Sequence, residues 1–319
     1  MRRARRARRA LAAAALAAPA LAALAGCGLA VGPAPSVGQL LITRDFGARV
    51  VHRSGDVRAR AGESVLALLR AGYSVRGGTR HSNVTSIGGL SGAPGAGGSG
   101  EATKWLYYVN GVQVRKAPAL RALHLGDHVW WDLHDASHSD DQAAVVGAYP
   151  EPFLNGTEGK RLPVRVECAA DARAACALVT RRLRAAGVPA ALAAIGSGGA
   201  PETLRVMVGP WVYLEGDIEA SSIGRGPLAS GVYARIPAAG RELELLDEGG
   251  ERARTLRGSA GLVAATRGEN EAPVWVITGT DVAGVDLAAH ALARSALEDR
   301  FAVALQGAAT IPLPLPGPR

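Results

Sequence analysis

Short runs of alternating apolar and polar residues dominate the first third of the chain, and such runs are typical of half-buried β-strands. The pattern predicts, in order, strands at 39–47 and 48–53, a helix at 62–75, a strand at 82–90, a hairpin at 104–116 and a strand at 127–135. Ser64 can cap the helix and Gly72 can end it. Asn110-Gly111 favours a type I′ hairpin, because both residues tolerate positive φ. One helix among several strands predicts a sheet with a single helix packed on one face.

The second half of the chain combines strands with longer helical stripes. The pattern predicts strands at 164–169, 202–211, 231–236, 242–247 and 274–281, and helices at 171–187 and 282–301. Strand–helix–strand units at the two ends favour an α/β layer. We therefore predict an α+β protein, in which a mixed sheet on one helix is followed by an α/β sandwich-like domain.

Composition sets the predicted domain boundaries. Residues 136–162 are polar and interrupted by proline and glycine, which indicates a linker. The Pro-rich end of the chain indicates an extended tail. The predicted organisation is a signal peptide at 1–27, a tether at 28–36, a first domain at 37–135, the linker at 136–162, a second domain at 163–307 and the tail at 308–319.

The start of the chain is a targeting segment. Arginines within 2–9 precede an apolar run at 10–24 and the sequence "LAGC" at Leu24–Cys27, which together make a secretory signal. "LAGC" resembles the lipobox of bacterial lipoproteins, in which the cysteine becomes a lipidated N-terminus. The resemblance implies that Cys27 carries the lipid and that the protein is extracytoplasmic, anchored to the outer face of the cell membrane. The alternative is an ordinary secreted protein.

The signal peptide also accounts for most of the positive charge. The formal net charge is +8, from 36 basic and 28 acidic residues. Without the six arginines of residues 2–9, 30 basic residues face the same 28 acidic ones. Nucleic-acid binding requires clustered Lys and Arg to neutralise phosphates, so we exclude nucleic acid as an expected partner.

The cysteine count favours one disulfide. Once Cys27 is lipidated, Cys168 and Cys176 remain. They lie at the end of a predicted strand and inside the next helix, and the compartment outside the membrane permits oxidation. We predict a Cys168–Cys176 disulfide; the alternative is two buried, unpaired thiols.

Four motifs in the first domain occur in the same order as in a known domain family. They are "TRDFG" at 43–47, "SVLALL" at 64–69, "WLYYVNG" at 105–111 and "GDHVWWDLHD" at 126–135. Over residues 39–135 the chain resembles the transcobalamin-like C-terminal domain family, a β-grasp module found in many bacterial surface proteins and lipoproteins. Vertebrate relatives use this domain as one half of a cobalamin clamp. The resemblance therefore implies a β-grasp fold and makes cobalamin a candidate ligand, although no cofactor is required by the residues themselves.

Two adjacent tryptophans raise the question of a ligand face. Neighbouring side chains of a strand point to opposite sides, so Trp131 is expected in the core and Trp130 on a polar face with Asp132 and His134. We expect Trp130 to be an exposed stacking platform, with Asp132, His134 and Tyr108 as further candidate ligand-binding residues. The alternative is that Trp130 packs under the linker or against the second domain.

Catalytic motifs give no positive signal, and we expect a protein that is not an enzyme. The acidic and imidazole groups around His134 and His138 suit a metal chemically, but a strand end followed by a loop does not give helical His-x-x-x-His geometry, so no metal site is predicted. Thr280 and Asp281 could hold an anion, but a helix N-cap is the simpler interpretation. The leading hypothesis is a binding module for a small molecule, such as a corrinoid, or for an envelope or transport protein. The alternatives are a structural or adhesive envelope protein and a metal-dependent hydrolase, which the sequence supports least.

Overall fold

The computed structural model describes residues 38–317, apart from 56, 61, 94–102, 139–143, 198–199, 201, 238 and 269–270. The predicted signal peptide, Cys27 and the tether lie outside the described residues. Residues Pro35–Arg319 form one compact unit. Within the described residues, every helix is too short or too polar to cross a membrane.

The chain up to Asp135 builds a mixed five-stranded sheet on one helix. Its elements are β1 Gln39–Arg44, β2 Arg49–Ser54, α1 Val65–Gly72, β3 Val75–Gly77, β4 Val84–Ile87, β5 Leu90–Ser91, β6 Thr103–Val109, β7 Val112–Gln113 and β8 His128–Asp135. The sheet has the order β2-β1-β8-β6-β7, with β1 and β8 parallel and the other neighbours antiparallel. β3, β4 and β5 form a separate small antiparallel sheet.

Local chemistry explains why the helix and the hairpin form where the sequence predicts them. Ser64 caps α1, since its side chain accepts a hydrogen bond from the amide of Ala67 at 3.1 Å. Asn110 and Gly111 have φ values of 55° and 73°, as a type I′ turn requires. The hairpin therefore closes after Val109 and directs β7 back along β6.

The second half builds a larger mixed sheet with helices on both faces. Its elements are β9 Val164–Cys168, α2 Arg173–Ala185, β10 Ala190–Ala194, β11 Leu204–Pro210, α3 Trp211–Leu214, α4 Ile218–Gly224, α5 Pro227–Ser230, β12 Ala234–Arg235, β13 Glu242–Leu246, β14 Arg252–Arg257, β15 Ala260–Thr266, β16 Val274–Gly279, α6 Val282–Ala291, α7 Arg294–Leu297, β17 Ala302–Gln306 and β18 Ala309–Leu313. The strand order is β10-β9-β11-β16-β15-β17-β18. The first four strands in this order, β10, β9, β11 and β16, pair in parallel. The last three, β15, β17 and β18, are antiparallel to their neighbours. The predicted α+β class with a sandwich-like architecture is confirmed.

Burial on both faces gives this sheet its layers. All seven residues of β15 are buried, as expected for a central strand covered on both sides. One face packs on α2 and α6 through side chains such as Leu183 and Val285. The other face packs on α3, α4 and the small antiparallel sheet of β12, β13 and β14.

The end of the chain differs from the prediction of an extended tail. Ala309–Leu313 is β18, which pairs antiparallel with β17. Proline cannot donate a ladder hydrogen bond, so Pro312 is compatible only with an edge strand, and β18 is the edge of its sheet. The predicted helix at 282–301 is also divided, because Leu292 leaves the helical conformation at ψ 71° between α6 and α7.

Part of the predicted linker is packed against both halves. Val146 and Phe153 are fully buried, and Phe153 contacts Trp275 with ring centroids 5.0 Å apart. The amide of Val145 donates to Gly111 O at 2.8 Å, and the amide of Val146 donates to Phe301 O at 3.2 Å. Residues 144–162 thus tie the first sheet to the second.

The predicted disulfide is confirmed. Cys168 and Cys176 are bonded, with their Cα atoms 6.0 Å apart. That separation lies inside the range of about 4.4–6.8 Å that a disulfide requires. The bond fastens the end of β9 to α2 on the buried face of the second sheet.

Candidate functional site

The predicted ligand face is buried, and the expectation of an exposed Trp130 is wrong. Trp130 and Tyr108 are both 0% exposed, and Asp132 and His134 are buried beside them. The cause is Phe301, whose ring centroid lies 5.2 Å from that of Trp130 and 5.6 Å from that of Tyr108. The second half of the chain therefore covers this face, as in the alternative interpretation.

Asp132 is the centre of a hydrogen-bond network on the covered face. Asp132 accepts hydrogen bonds from the amides of Phe46 and Gly47 at 3.1 and 2.9 Å and from the Thr43 hydroxyl, and its Oδ1 lies 2.6 Å from His134 Nδ1. The indole of Trp130 donates to Thr43 Oγ1 at 2.6 Å. Buried polar groups need such partners, so this network lets the polar side chains of the first sheet be covered by the second half.

The opposite face of β8 behaves as predicted. Trp131 is 1% exposed and stacks on Tyr107, with ring centroids 4.8 Å apart. Val129 joins them in the core under α1. The two tryptophans therefore belong to two different cores.

The histidines and acids around β8 do not converge on one point. His134 lies between the halves, whereas His124 contacts Arg121 at the opposite end of the strand. Asp140 and Asp141 lie outside the described residues. Among the described residues, no group of three or more His, Cys, Asp or Glu side chains is placed to hold a metal ion. Asp281 caps α6 by accepting from the amide of Gly284 at 2.7 Å, as the N-cap interpretation predicts.

A groove of about 810 Å³ lies between the β6–β7 hairpin and the second half of the chain, and we call it the hairpin groove. That volume is within the range of small-molecule sites. One wall carries Val109, Val112, Gln113, Val114, Arg115, Lys116 and Arg121, and the other carries Thr157, Glu158, Lys160, Leu162, Glu202, Arg267, Glu271 and Ala272. The lining thus contains five basic and three acidic side chains, and this excess of positive charge favours an anionic ligand.

The hairpin wall is held rigidly. Asn110 is fully buried and its Nδ2 donates to Asp127 Oδ1 at 3.0 Å and to Gly156 O at 2.8 Å. Gly111 leaves no room for a side chain, because a Cβ there would stand 2.9 Å from Val145 O. The turn is therefore fastened to residues 144–162, and the groove keeps its width.

Arg121 carries a buried polar atom without a hydrogen-bond partner among the described residues. Its side chain is only 4% exposed, and Nη2 contacts Asp127 Oδ2 at 3.5 Å. Its Nη1 lies 3.2 Å from His124 Nδ1, but its Nε–H has no hydrogen-bond partner among the described residues. A buried donor without a partner costs about 1–3 kcal/mol of stability.

Sequence reasoning missed the groove residues. The signal that could have found them is the basic run from Arg115 to Arg121 after the hairpin, because the predicted mature chain has nearly balanced charge. A second missed cluster lies on the second sheet, where Arg205 binds Glu167 at 2.9 Å and Asp217 at 2.5 Å. Hydrogen bonds to Glu167 raise the pKa of Arg205. Since these charges compensate each other, we interpret that cluster as a structural network.

Comparison with known proteins places the hairpin groove partly inside a family match. A family model described as "Domain of unknown function (DUF4430)" matches residues 62–135, less than a quarter of the chain. This family is associated with transcobalamin-like domains. The match contains α1, the hairpin and β8, and so one wall of the groove. No curated protein matches the sequence.

Proposed function

We propose that this protein is an extracytoplasmic, lipid-anchored binding module that holds a small anionic molecule in the hairpin groove without catalysing a reaction on it. The observation that carries the proposal is the excess of basic over acidic side chains around a groove of about 810 Å³. Arg115 and Lys116 at the rim would attract the same anion.

A corrinoid is the first ligand to test. Cobalamin contains a phosphodiester, which could place an anionic oxygen near Lys116 at the groove. The transcobalamin-like resemblance supports this choice. The site differs from a platform on Trp130, since that side chain is buried.

A thermal-shift screen tests the proposal. The chain without residues 1–27 keeps the whole compact unit Pro35–Arg319. It is screened against cobalamins, haem and thiamine-type vitamins, and a ligand at about 100 times its dissociation constant should add about 2.7 kcal/mol of stability. Lys116→Glu should weaken that effect, because it reverses a charge at the groove. Arg80→Glu is the matched control, since Arg80 is exposed and lines no described cleft.

Two results would reject the proposal. One is that no compound shifts the unfolding temperature. The other is that Lys116→Glu and Arg80→Glu bind the ligand equally well, because the ligand would then lie elsewhere.

The lipid anchor is a separate part of the proposal and rests on "LAGC" at Leu24–Cys27. Stable membrane attachment needs more than one acyl chain, and a lipobox cysteine in that family carries two or three. Cys27→Ala should therefore move the protein from the membrane fraction to the medium or leave it unprocessed. Unchanged processing together with unchanged membrane recovery would reject lipidation.

A structural or adhesive role in the cell envelope is the second candidate. Ile218 on α4 is 82% exposed and Leu228 on α5 is 80% exposed. Exposed apolar side chains on neighbouring helices suit contact with another protein. Loss of envelope association after Ile218→Ser and Leu228→Ser, with ligand screens negative, would favour this role.

A further inference from the structure

A smaller cavity of about 150 Å³ lies on the other side of β8, and we call it the seam cavity. It forms where the first sheet, residues 147–154 and the loop after α7 meet. The lining side chains that matter here are Arg53, His128, Tyr149, Pro150, Leu154 and Arg294. One side is apolar and the other carries cations, so the cavity is amphipathic.

The carboxylates at the seam cavity already have partners. Glu298 pairs with Arg53 at 2.7 Å, and Asp299 pairs with the same guanidinium. Glu151 accepts from the amide of Asn155 at 2.9 Å. Burial raises the pKa of Glu151 and of Asp299.

Unlike these carboxylates, the side chains of Arg294 and His128 have no polar partner among the described residues. Among the described residues, the Arg294 guanidinium makes no ion pair or hydrogen bond. It is close enough to His128 for its positive charge to lower the pKa of the imidazole. The imidazole of His128 also has no hydrogen-bond partner in the part of the chain that the structure describes. Burial, followed by the positive charges of Arg294 and Arg53, lowers the pKa of His128 from 6.5 to about 4. The cavity therefore offers one uncompensated cation beside a neutral imidazole.

We propose that the seam cavity binds a short-chain carboxylate, with its carboxylate group against Arg294 and His128 and its hydrocarbon chain against Tyr149, Pro150 and Leu154. A carboxylate satisfies the guanidinium, and three or four carbons suit the apolar side of a cavity of about 150 Å³. This site is distinct from the hairpin groove, since the two share no lining residue.

Binding is linked to proton uptake by His128. The bound carboxylate offsets the repulsion from Arg294 and Arg53, so it favours the imidazolium form. The other charged groups facing His128 are Glu151, Glu298 and Asp299, which the ligand leaves in place. Affinity therefore increases as the pH falls, by up to about tenfold per pH unit while His128 is the group that titrates.

Calorimetric titration of the full chain with propionate tests the site. Measurements at about pH 7.5 and about pH 5.5 keep the ligand mostly ionised. We expect saturable binding that is tighter at the lower pH and takes up a proton. Arg294→Gln should weaken it about tenfold or more, because it removes the partner of the carboxylate. Arg254→Gln, at an exposed arginine away from the cavity, should bind as the wild type does.

His128→Gln separates the proton linkage from the site itself. This variant should still bind propionate at the higher pH but lose the gain at the lower pH. Absence of saturable binding by the wild type would overturn the proposal, and so would equal binding by Arg294→Gln and Arg254→Gln. Binding of inorganic phosphate but not of propionate would overturn the carboxylate assignment. None of these results depends on a ligand in the hairpin groove.

Discussion

Trp130 and Trp131 are sequence neighbours that stabilise different parts of the molecule. Strand geometry sends their indoles to opposite faces of β8. Trp131 packs under α1, whereas Trp130 packs against Phe301 of the second half. Polarity alone suggested a solvent-exposed face for Trp130, since its neighbours on that face are Asp132 and His134.

Truncating either tryptophan should be costly. Each of Trp130→Ala and Trp131→Ala should lower the free energy of unfolding by about 3–5 kcal/mol, because each leaves a cavity in a closed core. Urea denaturation measures the free energy of unfolding of both variants. Tyr213→Ala is the control, since Tyr213 is 48% exposed and a surface substitution changes stability by about 0.5 kcal/mol or less. A Trp130→Ala variant as stable as the control would contradict the buried position.

His128 should make stability depend on pH. Its pKa in the folded protein is lowered to about 4 from 6.5, so the unfolded chain takes up the proton first as the pH falls. The contribution is complete above about pH 6.5 and decreases toward pH 4, by roughly 3 kcal/mol in total. His128→Gln should remove this slope, measured as the difference in unfolding free energy between variant and wild type.

Buried carboxylates titrate in the same window, so the comparison needs a control. Raised pKa values of Asp299 and Glu151 give a slope of the opposite sign, but it is common to both proteins and cancels in the difference. His81→Gln, at an exposed histidine, should keep the wild-type slope. If His128→Gln keeps it as well, His128 titrates normally.

The secondary-structure elements that the sequence predicts depend on interactions between near neighbours, whereas the missed strand depends on pairing with another strand. Ser64 and Asn110-Gly111 act through hydrogen bonds and dihedral angles within a few residues, so the start of α1 and the hairpin follow from the sequence. β18 contains Pro312, which argues against a strand, and it forms only because β17 offers a free edge. The edge exists only once the second sheet has assembled.

The disulfide acts on the connection between β9 and α2. It closes a loop with a sequence separation of 8, for which chain entropy gives a stabilisation of about 2.6 kcal/mol. The double variant Cys168→Ala and Cys176→Ala should therefore unfold at lower denaturant concentration by that free energy. Reduced wild-type protein should match the variant, since both lack the cross-link. Equal stability of variant and oxidised wild type would show that the bond contributes nothing.

For the whole molecule, one buried cluster joins the two halves. It includes Leu41, Tyr108 and Trp130 from the first sheet and Tyr233 and Phe301 from the second half. A shared core predicts one cooperative transition, so tryptophan fluorescence and far-ultraviolet circular dichroism should give coincident denaturation curves. Phe301→Ala should lower stability and also reduce hydrogen-exchange protection of β1 and β8, which lie far from it in sequence.

Two separate transitions in the wild type would contradict a shared core. Phe301→Leu is the conservative control, because it keeps apolar volume at the same place and should preserve most of the protection in β1 and β8.

The sequence by itself determined the α+β class, the alternation of β8, the cap of α1, the type I′ turn and the Cys168–Cys176 pairing, since each depends on periodicity or on chemistry between near neighbours. It also carried the lipobox-like motif. Only the tertiary structure decided that Trp130 is covered and that Arg121 and Arg294 line cavities. These properties depend on which surfaces meet across more than a hundred residues, and the pattern of one strand is the same whether solvent or Phe301 lies against it.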